Sequence, residues 1–411
     1  MPHQNGNRDN QYRWFANPCF DLAFFHLPVW LCWAIVFAIP PSWRQVPVPT
    51  WVWVAAVLLI DVGHVWTSIY RTYLDPVARK HHARTLKLTP LICFAVCLAL
   101  ALHSDLLFWR VLAYVAVFHF IKQQVGIAAL YRYRQVQGSG NRLPRKTTMF
   151  MGRIDKLTVY CGTLFPVIHW HLSPGKKFSW FIPGDFLSLG PLRDAIANQP
   201  GGNALLSVLG FSFFAFWIAI PLTWVAFHLW AARRYGFAYP IGKTLWVLGT
   251  CINWFLGIVY FDSDLAFTLT NVVAHGVPYY GLIGLYGHRR LMRGGYAIRL
   301  PKMVEIPSRA RFGWGLLYLG FLAPILMLAL TEEYLWNFLL YRDYSGFFEA
   351  FWHYPMAAVS DPGWRALWMS VLAMPQVVHY VLDGFIWKFN SRNPDLKRFL
   401  LPLHEPEKVG A

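Results

Sequence analysis

Four pairs of polar side chains interrupt apolar stretches of the sequence: Asp61 with His64, His119 with Gln123, Asn271 with His275, and His379 with Asp383. Each pair is spaced i,i+3 or i,i+4, so both members share one face of a helix. Neutral imidazole is the commonest protein metal ligand, and a nearby carboxylate adds charge and a hard oxygen. Asp61-x-x-His64 and His379-x-x-x-Asp383 therefore each read as half of a transition-metal site, iron first, with manganese, zinc or copper as alternatives. Four His and two Asp would serve one six-coordinate ion or a pair of ions, as in helical bundles that present carboxylates and carboxylate–His pairs inward. If the carboxylates instead orient imidazole N–H groups, His64, His119, His275 and His379 remain as a mononuclear ligand set. Gln123 and Asn271 are expected as outer partners of the ligands.

The elements that carry these pairs are predicted to be membrane spans. The 411-residue chain is 56% hydrophobic and only 14% charged, where a soluble domain carries about 25% charge. Ten apolar stretches are long enough to cross a bilayer or nearly so: 20–40, 51–70, 88–103, 106–131, 149–171, 204–230, 243–261, 265–287, 312–331 and 364–387, the third being short. The fold class expected is all-α, a polytopic transmembrane bundle forming one integral-membrane domain over residues 1–411. An ionisable side chain at the centre of a spanning helix costs roughly 2.5–3.5 kcal/mol on insertion scales, so these polar pairs mark a function by default.

The net charge of +17 is distributed as topology requires. Basic clusters fall on every second connection, at Arg71–Lys87, Arg132–Lys146, Arg233-Arg234, Arg289–Arg311 and Lys388–Lys408, while the intervening connections are neutral or acidic. This positive-inside pattern sets both termini in the cytoplasm, with short tails 1–18 and 389–411 and longer non-cytoplasmic connections 173–203 and 332–362 that cap the membrane face. It also accounts for the basic excess as lipid attraction, with no nucleic-acid partner. The first span lacks a small-residue cleavage site and is read as retained. The six cysteines imply no disulfide framework. Localisation is expected to be a cell membrane, multi-pass, of the bacterial inner-membrane kind.

Depth selects among the fifteen histidines. At the helical rise, His64 lies roughly 10 Å and His379 roughly 14 Å from the cytoplasmic ends of their helices, and His119 and His275 roughly 20 Å. Helix tilt and side-chain reach bring all four to one level. His169, His171, His103 and His353 fall at outer ends; His81, His82, His288 and His404 fall among cytoplasmic residues; His26 and His228 lack a polar partner one turn away. Haem is not expected, because the His275–His288 spacing has no counterpart on a second helix. Near the cytoplasmic mouth, Arg71, Tyr73 and Lys122 are the candidate contacts for substrate or lipid headgroup. Gly276-Val277-Pro278 is expected to break the eighth helix and free backbone carbonyls beside the site.

At Asp61-x-x-His64-x6-Arg71-Thr72-Tyr73-x-Asp75, His119-x-x-Lys122-Gln123-x-x-Gly126 and His379-Tyr380-x-x-Asp383-x-x-Ile386-Trp387-Lys388 the chain resembles a set of uncharacterised bacterial multi-span membrane proteins. The resemblance covers the second, fourth and tenth spans and implies no activity, only that these pairs belong together. The function expected from the residues is a metal-dependent membrane oxidoreductase, of the oxygenase, hydroxylase or desaturase type. It would act from the cytoplasmic side on a lipid or other hydrophobic small molecule, with a separate electron donor. A proton-coupled transporter using the His/Asp pairs as a relay is the first alternative, and a membrane acyl- or glycosyl-type transferase using His275 as base the second. The residues do not single out a catalytic group beyond the metal ligands.

Overall fold

The computed structural model describes residues 11–44, 47–173, 175–291, 311–351 and 358–401; the basic connection expected over 288–311 lies mostly outside them, as do His353 and His404. Among the described residues the chain is helical throughout, without strands. Ten long helices cover the ten expected spans. They are α1 (Pro18–Ala38), α2 (Thr50–Arg71), α3 (Ala83–His103), α4 (Asp105–Ser139), α5 (Arg145–Leu172), α6 (Gly202–Tyr235), α7 (Ile241–Tyr260), α8 (264–291), α9 (Arg311–Leu339) and α10 (Pro362–Leu372 with Met374–Ile386).

Seven of these are long and apolar enough to cross a membrane, and the two pieces of α10, bent by 41°, make an eighth if counted as one span. α5 and α8 are not among them. Exposure agrees with an apolar solvent: only 6% of the α6 window is buried, and that helix presents Val208, Phe211, Phe216 and Leu222 outward. In water so continuous an apolar face would be an aggregation site.

Local chemistry fixes the helix ends. Asn17 caps α1 by accepting from the Phe20 amide, with Pro18 at the first position. Ser263 caps α8 through the Ala266 amide, and Asp361 caps α10 through the Trp364 amide ahead of Pro362. These are short polar side chains doing what an orphan helix N-terminus needs. Gly236 closes α6 in the left-handed region at φ 63°, where only glycine is free of a Cβ penalty.

Three expectations change. The third span is 21 residues, Ala83–His103, and not short. The ninth helix continues through Glu332 and Glu333 to Leu339, so these acids belong to a helix and not to an outer connection. The eighth helix does not break at Gly276-Val277-Pro278; α-helix runs from Val273 to Leu291 through Pro278. The irregularity lies upstream, as a π-helical turn over Thr268–Val272. A second and longer π-helical run, Trp53–Val62, precedes His64. Each ends just before a histidine, and π turns rotate the face that follows and recur at functional sites.

The chain divides into two compact units, Met1–Pro49 with Trp109–Pro278, and Thr50–Phe108 with Tyr279–Ala411. In the first unit an aromatic core joins Phe120, Trp254 and Phe267 to Phe178 and Phe186 from the connection 173–203. That connection is folded by carboxylates accepting backbone N–H groups: Asp185 from Trp180, Phe181 and Ile182, Asp262 from Lys177 and Phe178, and Asp264 from Ser179. In the second unit α10 packs on α3 through Leu86, Cys93, Val378 and Leu382, and Arg365 is paired with Asp105 at 2.7 Å.

Candidate metal centre

In the second unit, His64 on α2 and His379 on α10 have ring centroids 5.0 Å apart at 80°. Both are about 1% exposed. Tyr279 of α8 packs edge-on against both rings, at 5.4 and 5.0 Å. His64 Nδ1 faces the Ile60 carbonyl at 3.2 Å; a carbonyl only accepts, so Nδ1 carries the hydrogen and Nε2 keeps the lone pair a metal requires. Asp61 lies 3.6 Å from that same Nδ1. Asp383 Oδ1 stands 3.8 Å from His379 Nδ1, beyond hydrogen-bond length. It is held there by the Tyr279 hydroxyl, donating at 2.8 Å, and by Trp387 Nε1 at 3.2 Å.

In the first unit, His119 on α4 and His275 on α8 are 4.9 Å apart at 78°. Phe120 stacks on the His275 ring at 3.7 Å and 11°, fixing its plane. Gln123 donates through Nε2 to the His275 carbonyl at 3.0 Å. Asn271 donates to the Asn253 carbonyl and to Thr270 Oγ1, each at 3.0 Å. Gly257 makes room for it, since a Cβ there would lie 2.6 Å from Asn271 Nδ2. The side-chain oxygens of Gln123 and Asn271 are buried and have no hydrogen-bond partner among the described residues.

Taken as a set, His64, His119, His275 and His379 are all buried, and each offers a ring nitrogen within 4.8 Å of the others. An ion bound by imidazole at about 2.0–2.1 Å needs its nitrogens roughly 3.3–4.2 Å apart, depending on geometry. The histidines are therefore a slightly expanded ligand set, and this buried group could hold a metal ion. Asp61 and Asp383 stand beside the Nδ1 atoms of two members, outside the four-nitrogen group.

Three further residues were candidates for substrate contact. Arg71 is buried, its guanidinium shared between Asp75 (3.3 Å), the Ile386 carbonyl (3.1 Å) and Asn393 Oδ1 (2.9 Å). Asp75 is in turn held by Arg290 at 2.9 Å and the Tyr286 hydroxyl at 2.6 Å. Arg71 is thus a strut for the segment after α10 and not the headgroup clamp its position implied. Tyr73 donates to the Leu86 carbonyl at 2.9 Å. Lys122 is exposed, with Nζ 5.6 Å from the Phe118 ring.

Sequence reasoning missed a second polar cluster, in the first unit. Asp155 of α5 accepts from Lys243 (2.8 Å), Trp224 (2.9 Å), His228 (3.1 Å) and Arg132 (3.2 Å). All but Arg132 are essentially buried. His228 had been set aside for want of a partner one turn away; its partner lies 73 residues earlier, on another helix. The available signal was Asp155 itself, an acid inside a predicted span. His26 and His82 are likewise buried, against the surface positions expected of most remaining histidines.

Fold and site together define a protein that is helical and strand-free among the described residues, with seven or eight helices long and apolar enough to cross a membrane and a buried four-histidine group that could hold a metal ion. Comparison of the chain with known protein families, curated proteins and solved structures finds no match to any of them.

Proposed function

We propose that the protein is a metal-dependent membrane oxidoreductase acting on a lipid or other hydrophobic molecule from the cytoplasmic side, in a cell membrane of the bacterial inner-membrane type. The observation that carries this reading is the four buried ring nitrogens within 4.8 Å of one another. Uncharged imidazoles are soft enough for iron, copper or zinc, and four of them leave the charge of a divalent ion uncompensated. Asp61 and Asp383, 3.6 and 3.8 Å from the Nδ1 atoms of two of the rings, would supply that compensation. Iron, or manganese in its place, would give the centre one-electron redox chemistry, and its setting among apolar helices favours an apolar substrate. His64, His119, His275 and His379 would be the ligands, Gln123 and Asn271 outer partners.

The test is metal analysis of the purified protein. Near-stoichiometric iron or manganese is expected, lost in the His64→Ala, His379→Ala variant; transition metal absent from wild type, or unaltered in the variant, removes the reading. The carrier alternative draws on a separate observation, the buried Glu332 that accepts from Trp66 Nε1 at 2.6 Å inside α9. Substrate uptake into vesicles driven by a pH gradient would favour it. A transferase dyad gains less support, since the Asn271 amide is spent on Asn253 and Thr270.

A further inference from the structure

Tyr279 occupies a special position in the second unit. It is 1% exposed, its ring lies 5.4 Å from that of His64 and 5.0 Å from that of His379, and Trp387 is 5.7 Å away on its other side. Its hydroxyl donates to Asp383 Oδ1 at 2.8 Å, the same oxygen that accepts from Trp387 Nε1 at 3.2 Å. A phenol is hard to oxidise while it keeps its proton, and a carboxylate already hydrogen-bonded to it removes that obstacle. The arrangement is more than a tyrosine needs for packing. A hydroxyl is satisfied by any backbone carbonyl, as the neighbouring, partly exposed Tyr280 shows by donating to that of Leu59 at 2.7 Å. Trp387 is half-buried at the last turn of α10, next to Lys388, at the end expected to face the cytoplasm.

We propose that Tyr279 is a redox-active tyrosine, relaying single electrons from the Trp387 end of α10 to the histidine-bound ion. The inference rests on the reading of the four-histidine group as a redox metal centre. If the histidines hold an ion in a strongly oxidising state, Tyr279 would give it one electron, reducing it by one unit, and the phenolic O–H bond would break as the proton passes to Asp383 along the hydrogen bond already present. A neutral tyrosyl radical and a protonated carboxyl result. One electron from an external one-electron donor, a reduced flavin or iron–sulfur protein, then arrives through Trp387, and the proton returns from Asp383 to the phenolate oxygen. Atoms and charge balance, and Tyr279 is restored. Such a relay would admit electrons to a centre buried among the helices.

The experiment uses the full-length protein loaded with iron, oxidised with an excess of a strong one-electron chemical oxidant so that oxidising equivalents remain once the ion itself is oxidised, and freeze-quenched for electron paramagnetic resonance. A tyrosyl signal is expected that narrows when the protein carries ring-deuterated tyrosine, disappears in Tyr279→Phe and persists in Tyr280→Phe. Trp387→Phe should slow reduction of the radical by about 10-fold or more. Metal content of each variant is measured in parallel. Wild type that holds iron but gives no tyrosyl signal, or a signal unaltered in Tyr279→Phe, overturns the inference while leaving the metal centre standing. A protein that binds no metal overturns both. If Tyr279→Phe fails to fold, Asp383→Asn decides instead: the radical should form more slowly with Tyr279 in place, and an unchanged rate counts against the proton's destination.

Discussion

The two histidine pairs are near copies in ring geometry, 5.0 Å at 80° for His64 and His379, and 4.9 Å at 78° for His119 and His275. What stands behind them differs. The first pair is backed by carboxylates, Asp61 and Asp383, one of them anchored by a phenol and an indole. The second is backed by amides, Gln123 and Asn271, and by the face of Phe120. An anion beside an imidazole N–H raises the basicity of the other nitrogen and offsets a cation's charge, whereas an amide only fixes geometry. With an ion bound, the first pair would carry charge compensation and the second rigidity.

Removing a whole pair should have the largest effect and tests whether the pairs act together. His64→Ala with His379→Ala, and His119→Ala with His275→Ala, should each abolish stoichiometric metal by elemental analysis, because two imidazoles cannot hold an ion that four share. If one double variant keeps its metal, the centre belongs to the other pair alone. The next effect separates charge from shape. Asp61→Asn and Asp383→Asn should each weaken metal affinity by about 10–100-fold in chelator competition, with no comparable loss in Gln123→Ala. Equal losses for acids and amides would erase the distinction drawn between the pairs.

Amide substitutions should register in stability instead. Asn271→Ala strands the Asn253 carbonyl in a fully buried place and should cost about 0.6–1.7 kcal/mol, the range of hydrogen bonds between membrane helices. Gln123→Ala should fall at the lower end, since Gln123 is only partly buried. Unfolding in mixed micelles measures both, and a change in metal affinity larger than the change in stability would count against a purely positioning role.

How much of this was legible beforehand depended on where each residue's partner lies. The pairs at i,i+3 and i,i+4 could be read because both members are on one helix and the period is fixed. That His64 and His379 reach one level could be read from their distances to the basic ends of their helices, and their rings meet at 5.0 Å. Asp155 stands inside a predicted span, but its partners His228 and Lys243 lie 73 and 88 residues later on other helices, and no local pattern carries that pairing. Arg71 was misread for the same reason: a basic residue at a helix end looks like a headgroup contact until Asn393 is known to meet it. The C-terminal end of α9 was hidden by Glu332 and Glu333, which read as connection; Trp66 supplies the donor that lets the Glu332 side chain stay buried on a largely exposed helix. Pro278 reads as a break, but its lost hydrogen bond is local, and the Gln123 amide donates to the carbonyl of His275 in the same turn.

The smallest effect concerns Lys122, three residues from His119 and on the amide-backed side. It is exposed midway along α4, and the contact seen for its ammonium is the Phe118 ring at 5.6 Å. An ammonium at that depth is a cost to a spanning helix unless it snorkels or meets an anion. Lys122→Met should therefore leave metal content unchanged and raise stability slightly, by up to about 1 kcal/mol, the loss of an exposed cation–π contact set against the removal of a charge from an apolar helix face. If Lys122 meets the acidic end of a substrate, the same variant should lower turnover of a fatty acid or phospholipid more than that of a neutral analogue of equal chain length. Equal turnover of the two would return Lys122 to the lipid surface.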